Sequence, residues 1–162
     1  MKLISKSIQE TEAVARDLLF ALGHAGISGR ATVLALRGNL GAGKTALTKA
    51  LGKQLGVKRA ITSPTFVIEK IYKLPKGSPF EHLIHIDAYR LEGKRELEAI
   101  GWDEALAHHN NLIVIEWPEQ VPGSLPRHAF TVDLAFVNDT TRTITIPAKL
   151  SRLWPPQKTK KK

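Results

Sequence analysis

The chain has no cysteine, which excludes disulfide staples and thiolate metal sites and fits a reducing compartment. No run of about 18 apolar residues occurs, so no membrane span is expected. The first residues, Met1-Lys2-Leu3-Ile4-Ser5-Lys6, lack the apolar stretch of an export signal. The expectation is a cytoplasmic protein. There is no internal repeat and no linker-like segment. Nor do the histidines form a metal set. His82 and His85 are three apart, which on a strand places them on opposite faces. His108 and His109 stand at the end of a predicted helix, where the dipole favours them. All four read as structural or solvated.

At 162 residues with 43% hydrophobic content, the chain is sized for one domain with a real core, taken as residues 1–150. The formal charge of +9 is concentrated at the end. From Lys149 onward there are six basic residues and no acids, which leaves a net charge of only +3 on residues 1–148. Residues 151–162 form a basic tail, and its composition predicts disorder. A solubilising role is favoured over an RNA contact, because the tail has no interleaved aromatics after its prolines.

Against this background, Gly38-Asn39-Leu40-Gly41-Ala42-Gly43-Lys44-Thr45 stands out. It has the form G-x-x-x-x-G-K-[ST], in which glycines let successive N–H groups turn inward onto phosphate oxygens. Lys44 is placed to reach the β- and γ-phosphates and Thr45 to offer a hydroxyl to Mg²⁺. Ala31–Leu36 before the loop reads as a buried parallel strand. After it, Ala46, Leu47, Ala50, Leu51 and Leu55 make a helical stripe that Gly56 stops. A turn that merely joined strand to helix would need neither Lys44 nor Thr45.

The rest of the chain alternates in the same way. Ser7 and Glu10 form a capping box for a helix with Ala15, Leu18, Leu19 and Leu22 on one face and Gly23 at its end. Val67–Tyr72, His82–Asp87 and Leu112–Glu116 read as strands, and residues 74–80 as a surface loop. Residues 94–109 read as one helix with Leu97, Ile100, Ala105 and Leu106 inward. Ala129–Val137 and Thr141–Ile146 alternate around Asn138-Asp139 and predict a hairpin. The fold class that results is α/β: a P-loop NTPase-like mixed sheet flanked by helices, closed by a C-terminal antiparallel hairpin. Ligands of such sheets sit at the carboxyl ends of strands, where the glycine loop, Asp87 and Glu116 all fall.

Bound nucleotide-Mg²⁺ needs a loop hydroxyl and a carboxylate, directly or through water. Glu116 ends the most apolar strand. Asp87 ends a more mixed one and suits a magnesium-bound or attacking water. The alternative is that either only closes a strand, paired with Arg90 or Arg37. The guanine signature Asn-Lys-x-Asp is missing and Asp87 is followed by Ala88-Tyr89-Arg90, so adenine is the expected base. Three functions remain open: an ATP-hydrolysing accessory factor, a small P-loop metabolite kinase, and a non-hydrolysing nucleotide-dependent binding module.

Four blocks in order decide among them: Gly38–Thr45; Ser63-Pro64-Thr65-Phe66; His85-Ile86-Asp87-Ala88-Tyr89-Arg90-Leu91; and Ile115-Glu116-Trp117-Pro118-Glu119. With Gly101-Trp102-Asp103-Glu104 and Ser7–Thr11, they resemble the TsaE (YjeE) family of bacterial ATPases of tRNA threonylcarbamoyladenosine synthesis, over about residues 5–148. The resemblance implies ATP at Gly38, Leu40, Gly41, Ala42, Gly43, Lys44 and Thr45, with Thr11 near the nucleotide. It implies Mg²⁺ on Thr45 and Glu116, Asp87 needed for hydrolysis, and Ser63 to Phe66 as a switch, with Ser63 and Thr65 presenting hydroxyls. Trp117 would be a functional residue beside the metal. The implied partners are TsaD and TsaB, which modify adenosine 37 of tRNA, with tRNA met through the complex. ATP hydrolysis would reset that complex between turnovers and would be weak without it.

Overall fold

The computed structural model describes residues 1–25 and 29–156. Residues 157–162, half of the tail expected to be disordered, lie outside the described residues. Seven strands run in chain order: β1 (Lys2–Ser5), β2 (Thr32–Arg37), β3 (Glu69–Lys73), β4 (His82–Asp87), β5 (Asn111–Glu116), β6 (Phe130–Phe136) and β7 (Arg142–Thr145). The helices are α1 (Ile8–Gly23), α2 (Lys44–Gln54), α3 (Lys94–Ala99), α4 (Trp102–Ala107) and α5 (Ala148–Ser151). The strands form one sheet in the order β1-β7-β6-β2-β5-β4-β3. Its centre, β6-β2-β5-β4, is parallel, and antiparallel strands border it on both sides.

Two faces are buried because alternate residues of the central strands serve opposite cores. Leu34, Leu36, Leu112 and Val114 meet Leu18 and Leu22 of α1 and Leu47 and Leu51 of α2. Val33, Ala35, Ile113 and Ile115 meet Leu97 of α3 and Trp102 and Leu106 of α4. The expected mixed sheet with helices on both faces is therefore present. So is the hairpin: β6 and β7 pair from Asp133↔Thr145 to Phe136↔Arg142, and Asn138 Oδ1 accepts the Thr141 N–H at 2.9 Å in the turn.

The start of α1 follows its sequence signal. Ser7 Oγ accepts the Glu10 N–H at 3.1 Å, while the Glu10 carboxylate reaches back to the Lys6 N–H at 2.6 Å. Gly56, at φ 79°, ends the second helical segment, with the Val57 N–H on Gly52 O at 2.9 Å.

Other elements correct the sequence reading. Ala46 is exposed and does not belong to the buried stripe of α2. The single helix expected over 94–109 is two. Gly101, at φ 89°, stops α3 and re-aims the chain, so that Trp102 drops into the core and donates to Ser124 O at 3.2 Å. The strand expected from Val67 begins at Glu69, because the Val67 and Ile68 N–H groups both turn onto Pro64 O. Leu74 and Phe80, the ends of the expected surface loop, are buried. β1 was not anticipated; it completes the sheet on β7, from Lys2↔Thr145 to Ser5↔Arg142.

Candidate nucleotide-binding site

Strand parity builds the site. On β5, Glu116 continues the face of Leu112 and Val114, which lies against α2. On β4, His85 and Asp87 continue the face of Leu83. The register sets Asp87 opposite Glu116, and Glu116 opposite Leu36 at the end of β2. Just beyond Leu36 the glycine loop opens and delivers Lys44 and Thr45 at the start of α2. Strand ends and a helix N-terminus thus converge at the carboxyl edge of the sheet.

The loop backbone requires its glycines. Gly38 lies at φ 147°, and a Cβ there would stand 2.3 Å from Leu134 O. Gly43, at φ 100°, precedes α2. Ala42 is buried, whereas Leu40 projects outward, 86% exposed. Gly38→Ala is expected to cost about 2 kcal/mol or more in stability and to abolish nucleotide binding. A melting curve and a binding isotherm check both. A wild-type isotherm would mean that the loop does not need this geometry.

Lys44 is 5% exposed. Its Nζ donates to Gly38 O at 2.5 Å and Asn39 O at 3.1 Å, and lies 3.6 Å from the centre of the Trp117 ring. Burial pushes its pKa down, and the carboxylates of Glu116, Glu119 and Asp87 push it back up. Glu116 is buried, and its two oxygens point to different donors. Oε2 accepts from Thr45 Oγ1 at 2.9 Å, and Oε1 lies 2.7 Å from His85 Nε2. Thr48, also buried, donates to Lys44 O at 3.1 Å and places its hydroxyl 3.5 Å from Glu116 Oε1.

Asp87 belongs to the neighbouring strand end and to the segment before β3. Its Oδ2 accepts from Thr65 Oγ1 at 2.6 Å and its Oδ1 from the Tyr89 N–H at 3.0 Å. Ser63 Oγ meets Thr65 Oγ1 at 2.5 Å, so Thr65 is tied to Asp87 directly and Ser63 through Thr65. The described residues hold two non-glycine positions of positive φ, and they flank this centre: Ile68 at 66° and Trp117 at 58°. Strained positions of this kind gather where a fold must hold groups for function.

Lys44, Thr45, Asp87, Glu116, Ser63, Thr65 and Trp117 are thus brought together around the loop. Thr11 is not hydrogen-bonded into this cluster; its hydroxyl meets Ser5 Oγ at 2.7 Å and Ser7 O at 3.2 Å. Arg37 pairs with Asp133 at 2.7 Å and Arg90 lies over the Phe66 ring, so neither neutralises Asp87 or Glu116. Sequence reasoning missed two residues. Arg142 of β7 donates to Gly41 O at 3.1 Å and braces the loop from outside. His85, read as structural or solvated, is wholly buried against Glu116. The signal for His85 was its spacing of two from Asp87, which puts both on one strand face.

The donor set suits a magnesium ion. Thr45 Oγ1 and Glu116 Oε2 are hard oxygens 2.9 Å apart. That is about the spacing of adjacent ligands around an octahedral ion with bonds of roughly 2.1 Å. No group of three or more His, Asp or Glu able to hold a metal exists among the described residues. An ion at this point would need phosphates and water to complete its shell, as magnesium with a nucleotide does.

Fold and loop together define a P-loop nucleotide-binding protein. Comparison with known proteins narrows the class. The family described as "Threonylcarbamoyl adenosine biosynthesis protein TsaE" matches residues 5–144, and the chain belongs to it. The tRNA threonylcarbamoyladenosine biosynthesis protein TsaE of Bacillus subtilis is 36% identical over 143 residues, 86% of this chain and 80% of that protein. The TsaE protein of Streptomyces coelicolor is 50% identical over 86 residues, 52% of this chain and 55% of its own length. The crystal structure of Bacillus subtilis YdiB superposes with a TM-score of 0.65 at 28% identity, covering 94% of this chain and 90% of that one. Among the described residues no helix is long and apolar enough to cross a membrane.

Proposed function

We propose that the chain binds ATP with Mg²⁺ at the glycine loop and hydrolyses it as a cytoplasmic accessory factor of tRNA N6-threonylcarbamoyladenosine synthesis at position 37. It would act with TsaD and TsaB to support repeated turnover and would meet tRNA through that complex. The observation that carries this reading is the convergence of Lys44, Thr45, Glu116 and Asp87 at one sheet edge. Family membership supplies the pathway.

The residues divide the work. Loop N–H groups and the α2 N-terminus bind phosphate oxygens, and Lys44 contributes positive charge where negative charge grows on the transferring phosphoryl group. Thr45 and Glu116 would hold Mg²⁺, which when bound neutralises phosphate charge. Asp87, anchored by the Tyr89 N–H, would orient the attacking water once the Thr65 hydroxyl turns away. Ser63 and Thr65 thereby couple the segment before β3 to the state of the nucleotide. Asp87→Asn keeps the Tyr89 contact but presents an amide to Thr65. It should lower turnover at least tenfold with less than a threefold change in ATP affinity; loss of affinity alone would make Asp87 a ground-state ligand.

Leu40, Phe66 and Tyr89 are exposed around this centre, and the Tyr89 ring packs tilted against Trp117 with centroids 5.0 Å apart. An apolar rim of this kind suits coverage by a protein partner and fits weak activity in isolation. The decisive experiment is ATP turnover of the protein alone, then with TsaD–TsaB, with and without tRNA. Stimulation by the partners supports the accessory ATPase. Nucleotide binding without stimulation would favour the kinase or the passive module. Removing residues 155–162 should leave turnover unchanged, and a large loss would give the tail a function.

A further inference from the structure

His85 is the buried polar group for which the nucleotide reading has no use. Its side chain is 0% exposed, its Nε2 lies 2.7 Å from Glu116 Oε1, and its Nδ1 is buried with no partner. The hydrogen-bond pattern assigns the tautomer. A carboxylate oxygen accepts, so Nε2 is the donor toward Glu116. A proton on Nδ1 would bury an unsatisfied donor beside two facing acceptors. The terminal torsion of a glutamate is broad, and a carboxylate held at one oxygen can turn. Here the ring pins Oε1 from the β4 side, while Oε2 alone faces the Thr45 hydroxyl. Thr48 is a poor substitute, at 3.5 Å from Oε1 and already donating to Lys44 O.

We propose that His85 is a positioning residue that locks the rotation of Glu116, so that Oε2 is presented with Thr45 Oγ1 as a ready-made half-site for the nucleotide's magnesium ion. This rests on the Mg²⁺-nucleotide reading above. It adds that the metal half of the site depends on an N–H donor from β4, and that the phosphate half does not. Groups that orient a metal ligand through its other atom characteristically change metal affinity by roughly tenfold to a hundredfold.

Three proteins separate the possibilities: wild type, His85→Leu and His85→Gln. Leucine fills much of the space without a donor. Glutamine offers an amide N–H near the position of Nε2. Binding of a fluorescent ADP analogue is measured in EDTA and then across a Mg²⁺ titration, with thermal melting to confirm folding. His85→Leu is expected to raise the Mg²⁺ concentration for half-effect about tenfold or more. Its metal-free binding should stay within about twofold of wild type, and His85→Gln should recover most of the magnesium response. A wild-type magnesium response in His85→Leu, an equal loss of metal-free binding, or no recovery by glutamine would each overturn the proposal. A wild type whose binding ignores Mg²⁺ would overturn the metal reading itself, and a wild type that binds no nucleotide the whole site. Should His85→Leu fail to fold, the imidazole ¹⁵N spectrum of the wild-type protein decides. Protonated Nε2 with bare Nδ1, shifted on adding Mg²⁺ to the ADP-bound protein, supports the assignment. The opposite tautomer, or a spectrum unmoved by Mg²⁺, overturns it.

Discussion

Lys44→Ala is expected to lower partner-stimulated ATP turnover roughly a hundredfold to a thousandfold, about 3–4 kcal/mol of transition-state stabilisation. Lys44 is 5% exposed and rests against the face of Trp117, so its charge acts in a site shielded from water. Burial lowers its pKa on balance, and the nearby carboxylates of Glu116, Glu119 and Asp87 act against that and favour the charged form. Alanine also removes the donor to Gly38 O and Asn39 O, which hold the loop closed on itself. Part of the loss should therefore appear as weaker ATP binding. Lys44→Arg would be a poor rescue, since a planar fork cannot stand in for a compact ammonium inside a narrow loop. Turnover by Lys44→Ala with TsaD–TsaB within about threefold of wild type would defeat the assignment of the loop as the catalytic phosphate site.

Much of this arrangement is legible in the sequence, and the reason is local. The glycine loop declares its own backbone geometry, the mixed β4 and the apolar β5 each end in a carboxylate, and the hairpin alternates around Asn138. What the sequence hid were relations set by register. Nothing local says that β4 and β5 are neighbours, so the pairing of Asp87 with Glu116 and the reach of Thr65 to Asp87 appear only in the fold. His85 is an intermediate case. Comparing it with His82 placed the two on opposite faces and dismissed both, although comparing it with Asp87 would have placed it in the site. The helix over 94–109 failed for a visible cause, since Gly101 sits in its middle and takes up a left-handed conformation. β1 failed because four residues give too short a pattern, and its stability comes from β7 rather than from propensity.

Glu116→Gln is expected to lower stimulated turnover by about a hundredfold or more while the protein still folds and still binds ADP in EDTA. The reasoning turns on which end of the new amide faces which neighbour. The His85 Nε2–H needs an acceptor, so the amide oxygen should occupy the Oε1 position and the NH₂ group the Oε2 position. The Thr45 hydroxyl can reverse and accept from that NH₂, so no buried donor is stranded and the stability change should stay near 1 kcal/mol. The NH₂ then points its hydrogens where a magnesium ion would lie, and the magnesium response of nucleotide binding should disappear. Glu116→Ala differs in a diagnostic way. It strands the His85 N–H in the core and should lower the melting temperature as well as activity, at about 1–3 kcal/mol for an unsatisfied buried donor. Equal melting losses in both variants would show that the charge of Glu116, rather than its acceptor role, supports the fold. Glu116→Gln with undiminished turnover and an intact Mg²⁺ response would remove Glu116 from the metal site and leave Asp87 as the carboxylate to test next.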